Sequence, residues 1–376
     1  MELENIIRLR QQLHQHPEVS NNEVQTSARI SGFFHQLNPD EELNLGKTGK
    51  AFIFNGKEKG PVLVFRAELD ALQINEVSDK PYQSQNKQVA HSCGHDGHMA
   101  IISGLGRRIS INRPAKGKAV LLFQPAEELE QGAKDVVENP AFTALEPDFI
   151  FALHNIPGAE KHAVMVKNGS FAAASKGMTV KLLGKTSHAA EPEMGINPAM
   201  AISNIIQRLN QIKTKQDKFT DFVLLTIIHI RLGDVAFGTS PGYAEMMLTL
   251  RAFENSDMDL LTAEAVKIFK DVAIEENLGI EISFNEVFPA TVNSKDCVDL
   301  IVEAADENKL QLEYLKAPFK WSEDFGYYTE KYKGGFFGLG AGKNQPALHN
   351  PDYDFPDDLI ATGIDLFYSI YKKILQ

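Results

Sequence analysis

The sequence predicts an α/β protein with a mostly parallel central sheet, plus an inserted ferredoxin-like α+β domain. Three observations carry that reading. Over the first half of the chain, short continuous apolar runs alternate with helical stretches. From about Lys176 the order becomes β-α-β-β-α-β, the split βαβ pattern. After Asp296 the chain returns to helix, strand and helix. A length of 376 residues suits two domains of the usual ~100–200 residues.

Residues 2–16 and 23–37 carry helical periodicity, interrupted by His16-Pro17-Glu18. Ala51–Phe54, Val62–Phe65, Ala119–Phe123 and Phe149–Leu153 are apolar without alternation, as strands covered on both faces are. Met99–Ile111 and Gln131–Val137 read as the helices between them. In the inserted part, Gly177–Leu183 is a strand stopped by Gly184, and Asn197–Ile212 is a helix opened by Asn-Pro. Strands Phe222–Arg231 and Ala244–Phe253, a helix Asp257–Glu276 and a strand Ile280–Phe288 complete that part. A strand Gly335–Leu339 and a helix from Asp357 end the chain. The expected domains are 1–174 with 289–376, and 175–288.

Composition narrows the function classes. Hydrophobic residues make up 43% and charged residues 23%, enough for a sizeable core. A formal net charge of -12 argues against a general affinity for nucleic acid or anionic membrane. The longest apolar run, Phe222 to Ile230, is broken by Thr226 and His229 and falls far short of the ~20 residues a membrane helix needs. Met-Glu-Leu-Glu-Asn at the start has neither a basic nor an apolar stretch, so no secretory signal is expected. With Cys93 and Cys297 alone, a disulfide framework is excluded and a cytoplasmic setting is expected.

The chemistry concentrates in His91-Ser-Cys93-Gly-His95-Asp96-Gly-His98. Thiolate and imidazole donors suit a borderline transition metal, whereas magnesium or calcium takes oxygen. A polar loop with one buried thiol is the plainer alternative. Other candidates occupy corresponding places in the pattern: Asp70 after Val62–Phe65, Glu127 and Glu128 after Ala119–Phe123, His154 after Phe149–Leu153, and His349 after the last strand. Ligands of open α/β sheets gather outside the carboxyl ends of strands, so these groups converge on one edge. Neighbouring Glu127 and Glu128 point differently; one can bind metal while the other takes a proton from water whose pKa the metal lowers from about 15.7 toward ~7. The pair equally suits the acidic first turn of a helix.

These motifs, with Gln124-Pro-Ala-Glu-Glu128, Gly184-Lys-Thr-Ser-His188-Ala-Ala and Ser322-Glu323-Asp324-Phe325, resemble the aminoacylase/carboxypeptidase family of metallopeptidases, peptidase family M20, and its amidohydrolase branch. That branch includes hippurate hydrolases, N-acyl-amino acid deacylases and N-acetyldiaminopimelate deacetylases. The resemblance runs from His14-Gln-His-Pro-Glu18 to Leu348-His349-Asn-Pro. It implies a zinc-peptidase-like catalytic domain with an inserted lid that makes a homodimer contact. It implies metal ligands Cys93, His95, Glu128, His154 and His349 around one or two divalent ions, whether zinc, manganese, cobalt or nickel. Glu127 becomes the general base, and Asp70 orients a metal-binding imidazole. His188 steadies the oxyanion, and Arg251 pairs with the substrate carboxylate. Glu68 stands where the family has Asp, and Gly238 where it has an Asn that helps hold the substrate carboxylate. The implied activity is metal-dependent hydrolysis of N-acyl amino acids. Rival readings are a dipeptidase or aminopeptidase on the same scaffold and a metal-binding protein without turnover.

Overall fold

A computed structural model of the chain describes residues 2–212 and 216–376. Helices α1 (Glu2–Gln15) and α2 (Val24–His35) come first, then strands β1 (Glu41–Leu45), β2 (Gly49–Asn55) and β3 (Glu58–Glu68). Next are α3 (His95–Ile111), β4 (Lys116–Gln124), α4 (Gly132–Glu138) and α5 (Pro140–Thr143). β5 (Phe149–Pro157), β6 (Val164–Val166) and β7 (Gly169–Ala172) follow. Then come β8 (Ala174–Leu183), β9 (Ser187–His188), α6 (Ala199–Ile212), β10 (Val223–Leu232) and β11 (Thr239–Ser240). β12 (Tyr243–Ala252), α7 (Asn255–Glu275) and β13 (Gly279–Phe288) come next. The chain ends with β14 (Thr291–Asn293), α8 (Lys295–Glu307), β15 (Leu312–Tyr314), α9 (Gly326–Thr329), β16 (Lys333–Gly342) and α10 (Leu359–Leu375).

Two compact units emerge. The first comprises Met1–Phe171, Thr291–Pro318 and Asp324–Gln376; the second comprises Ala172–Ala290 and Phe319–Glu323. The first is built on an eight-stranded sheet ordered β1-β2-β4-β3-β5-β16-β6-β15. Its middle strands β4, β3, β5 and β16 are parallel to one another, while β1, β2 and β6 run antiparallel to a neighbour. Buried Phe65, Leu121, Phe151 and Phe337 from those strands pack in one core with Leu105 of α3 and Phe367 of α10. Gly104 lets the two helices close up, since a Cβ there would run into Ile364. Expected strand positions and observed ones coincide where the run is continuous and apolar. Most elements run a few residues longer or shorter than expected, and two of these differences bear on the site. β5 continues through His154 to Pro157, so His154 lies inside the strand. α3 begins at His95, four residues before the apolar run, because Gly94 takes a left-handed φ of 93° at the N-cap.

The second unit has a four-stranded antiparallel sheet ordered β10-β12-β8-β13, the ferredoxin-like order, with α6 and α7. In β12 buried and half-buried residues alternate strictly, as expected when one face meets helices. β10 is an edge strand with Leu224, Ile228, Ile230 and Leu232 exposed. Among the described residues no helix is long and apolar enough to cross a membrane.

Candidate metal centre

The parallel strands of the first unit end at one edge, and the polar groups lie there. Asp70 is two residues past β3, and Glu127 and Glu128 follow β4 through Pro125 and Ala126. His154 projects from β5, His95 opens α3, and His349 sits in the loop after β16. Of the five sets of donor atoms that the described residues bring within 4.8 Å of one another, three link these groups: Cys93, His95 and His154; Cys93, Glu128 and His349; His95, Glu127 and Glu128. Cys93 Sγ is 3.5 Å from His154 Nε2. His95 Nε2 is 3.8 Å from Glu127 Oε2 and 3.9 Å from Glu128 Oε1, and His349 Nε2 is 3.9 Å from Glu128 Oε2. Cys93, His95, Glu127 and His154 are buried, whereas His349 is exposed.

Hydrogen bonds fix which imidazole nitrogen faces the centre. His95 Nδ1 donates to the Asp70 carbonyl at 2.9 Å, and His154 Nδ1 donates to the Asn155 carbonyl at 2.9 Å. A carbonyl can only accept, so both rings present Nε2 inward. The Asp70 backbone, rather than its carboxylate at 3.6 Å, therefore makes the short bond that orients His95. The Asp70 carboxylate instead braces the neighbouring loop, since Oδ2 accepts the Glu128 N–H at 3.0 Å and the Ser20 hydroxyl at 2.7 Å.

The electrostatics are those of a cation site. Burial opposes a charged His95, yet the Asp70 contact and the Glu68 and Glu128 charges outweigh it and push the imidazole up to about 10. A cation taking Nε2 would displace that proton. Burial, aided by His98, pushes His154 down to about 3, so that ring is neutral and ready to ligate. Burial would raise Asp70, but His95, Ser20 and the Glu128 N–H hold it below the usual carboxylate range. The buried His95 Nε2 makes no hydrogen bond and lies between two carboxylates just under 4 Å away. That spacing, with sulfur, imidazole and carboxylate donors together, fits one or two transition-metal ions.

Beneath the centre lies a buried polar network that the sequence does not reveal. His98 has both nitrogens committed, to Glu68 at 2.7 Å and to Asn155 Oδ1 at 2.6 Å, although Glu68, His98 and His95 also bring donor atoms within 4.8 Å of one another. Glu68 also pairs with buried Arg66. Arg66 donates to Asp324 at 2.6 Å, and the other Asp324 oxygen accepts from Gln124 and the Ala133 N–H. Asp324, which the sequence marks only as part of a motif, is thus an anchor for the strand ends. Asn155 anchors both His98 and Tyr353. No sequence spacing announces contacts made 58 or 200 residues apart.

The second unit carries the remaining candidates. His188, exposed on β9, accepts the Ala190 N–H at Nδ1 (3.1 Å), so its proton sits on Nε2. Arg251 Nη1 donates to the Lys320 carbonyl at 2.8 Å and to Ser322 Oγ at 3.0 Å. Gly238 precedes β11, which pairs with β9, and its carbonyl accepts the Ala189 N–H at 3.0 Å.

Residues 64–373 match the model of peptidase family M20/M25/M40. The chain is 29% identical over 371 residues to the hippurate hydrolase of Campylobacter jejuni subsp. jejuni, covering 98% of this chain and 96% of that protein. It is 30% identical over 372 residues to the N-acetyl-L-cysteine deacetylase of Bacillus subtilis (strain 168), covering 99% and 88%. A crystal structure of a dinuclear metal-binding M20 peptidase from Bacillus subtilis superposes with a TM-score of 0.85 at 26% identity, covering 100% of this chain and 98% of that one. With its match spanning most of its length and its donor atoms gathered at the strand ends, the chain belongs to peptidase family M20/M25/M40.

Proposed function

We propose that the protein is a metal-dependent amidohydrolase that cleaves N-acyl amino acids of the acetyl or benzoyl type to a carboxylate and a free amino acid. The observation that carries this reading is the buried thiolate–imidazole–carboxylate centre with a second carboxylate, Glu127, beside it. Hippurate and N-acetyl-L-cysteine, the substrates in the names of two relatives, are both N-acyl amino acids. Cys93, His95, Glu128, His154 and His349 would hold one or two ions, zinc or manganese among the candidates. Bound there, the ions would supply Lewis acidity, bringing the pKa of water near neutrality and polarising the acyl carbonyl.

The chain's own residues supply the remaining steps. Glu127 accepts the proton from the attacking water and returns it to the leaving amine, as a carboxylate within reach of both can. His188, with its proton held on Nε2, is a donor suited to the developing oxyanion. Arg251 uses Nη1 for the Lys320 carbonyl and Ser322, which leaves Nε and Nη2 for the substrate carboxylate. Exposed β10, with fully exposed Val235 and Phe237 in the following loop, suits a second copy of the chain against this lid. Cys93 and Cys297 are both buried and neither is in a disulfide, which suits a cytoplasmic setting.

The test is release of free amino acid from a panel of N-acetyl and N-benzoyl amino acids and dipeptides, with manganese or zinc added. Turnover of an acyl class that vanishes in Glu127→Gln is expected. Turnover confined to substrates with a free α-amine would replace this reading with a dipeptidase, and no turnover with metal bound would leave a binding protein.

A further inference from the structure

We propose that Ser20 and Glu23, in the turn between α1 and α2, are positioning residues that hold Glu128 and Glu127 in their working geometry. The inference rests on the reading of Glu127 as base and Glu128 as ligand. The turn touches both strand-end loops at once. The Ala71 N–H donates to the Glu18 carbonyl at 2.9 Å, and Val19 bridges to Ala71 in parallel. Ser20 Oγ then donates at 2.7 Å to Asp70 Oδ2, the oxygen that accepts the Glu128 N–H at 3.0 Å. Ser20 therefore fixes the carboxylate that fixes the Glu128 backbone.

Glu23 does the corresponding work for Glu127. It occupies the N-cap of α2 but makes no side-chain cap; Glu18 Oε2 takes the Thr26 N–H at 2.8 Å instead. The Glu23 carboxylate is turned inward and fully buried. Oε1 accepts the Ala126 N–H at 2.9 Å and the Asn21 N–H at 2.9 Å, and Oε2 accepts from Thr48 Oγ1 at 2.8 Å. Ala126 is the residue immediately before Glu127, and its φ is +51°. A left-handed non-glycine residue costs about 1–2 kcal/mol, so something must hold it there. Ala126 is held at both ends: its N–H by Glu23, and its carbonyl by the Gly132 N–H at 3.2 Å. Release of the first would let the backbone relax and swing Glu127, and a displacement of about 1 Å can cost ~10²-fold in rate.

The experiment uses the full chain with metal at saturation and compares Glu23→Ala, Glu23→Gln and Ser20→Ala. Four quantities are read: kcat and KM, melting temperature, exchange of the Ala126 amide, and manganese or zinc affinity by calorimetry. Glu23→Ala is expected to lower kcat ~30–100-fold with KM within about threefold, and to speed Ala126 exchange. Glu23→Gln keeps an acceptor for Ala126 and is expected to stay within about fivefold of the parent. Ser20→Ala is expected to weaken metal binding ~10-fold or more. If Glu23→Ala does not fold, Glu23→Asp, one methylene short of Ala126, carries the same test, with ~10-fold loss expected.

A folded Glu23→Ala that keeps its kcat overturns the proposal, since a purely structural clasp would move only the melting temperature. So does Glu23→Gln falling as far as Glu23→Ala, or Ser20→Ala leaving metal affinity unchanged. Amide exchange and calorimetry need no substrate. They judge the brace even if no amide in the panel is cleaved, which would instead count against the functional reading.

Discussion

The two units treat their polar side chains in opposite ways. In the first, Cys93, His95, Glu127 and His154 are buried, and each imidazole is oriented by a carbonyl. Behind them Arg66, Gln124, Asn155 and Asp324 lock the strand ends together. In the second, His188 is exposed with one bond to the Ala190 N–H, Arg251 is tethered by one nitrogen, and Val235 and Phe237 project fully into solvent. The difference follows from the work each must do. A cation site needs donors fixed before the ion arrives, and burial makes each unpaired group expensive, so the donors come with a dense supporting network. Groups proposed to meet a substrate must first be open to it, which suits exposed His188 and half-buried Arg251, each lightly held.

If that contrast is right, chelation separates the two roles most sharply. Removing metal is expected to abolish turnover while the first unit stays folded, because its core of aromatic and aliphatic side chains is independent of the ion. Circular dichroism and activity, recorded on one chelated sample, check this; unfolding on chelation would make the metal a structural element. Glu127→Gln comes next, with kcat expected to fall ~10²–10⁴-fold and metal stoichiometry unchanged. Metal analysis beside steady-state rates decides it, and a kcat within tenfold of the parent would remove Glu127 from the role of base.

The network should also show in stability. His14 bonds Asp96 through Nδ1 at 2.8 Å and Glu76 through Nε2 at 3.1 Å. Burial opposes its charge, but those two carboxylates push it up to about 9. A raised pKa stabilises the fold below the unfolded value, near 6.5, and that contribution is lost as pH rises through about 9. Its ceiling is about 3 kcal/mol. The melting temperature should therefore fall between those two pH values, and His14→Gln should flatten the slope. An unchanged slope in the variant would place the titration elsewhere.

The same contrast explains what could be read from the sequence. β3, β4 and β5 were legible because continuous apolar runs mark strands covered on both faces, while β1, β6 and β15 were not, being short. Cys93, His95, Glu128, His154 and His349, the proposed ligands, could be picked out because thiol, imidazole and carboxylate groups clustered in a motif or placed near strand ends are chemically distinctive. Ser20, Glu23, Asn155 and Asp324 are ordinary polar residues, and each acquires meaning only when folding sets it against a distant backbone group. Glu23 meets Ala126 across 103 residues, and Asp324 meets Ala133 across 191. A sequence shows donors well and their supports poorly.

Gly238 gives the smallest effect and the finest test of the lightly held unit. The sequence resemblance implies an Asn here that would help to hold the substrate carboxylate, and Gly238 is one hydrogen bond from the residue after His188. A Cβ at this position would meet nothing within 4 Å, and its φ is not in the left-handed region, so Gly238→Asn is free of strain. An added amide donor to a carboxylate is worth about 1 kcal/mol net, so KM for N-acyl amino acids is expected to drop ~3–10-fold with kcat little changed. The gain should vanish for the same substrates with the α-carboxylate converted to an amide. A drop in KM for both forms would assign the effect to packing, and no change for either would show that Arg251 alone reads that end of the substrate.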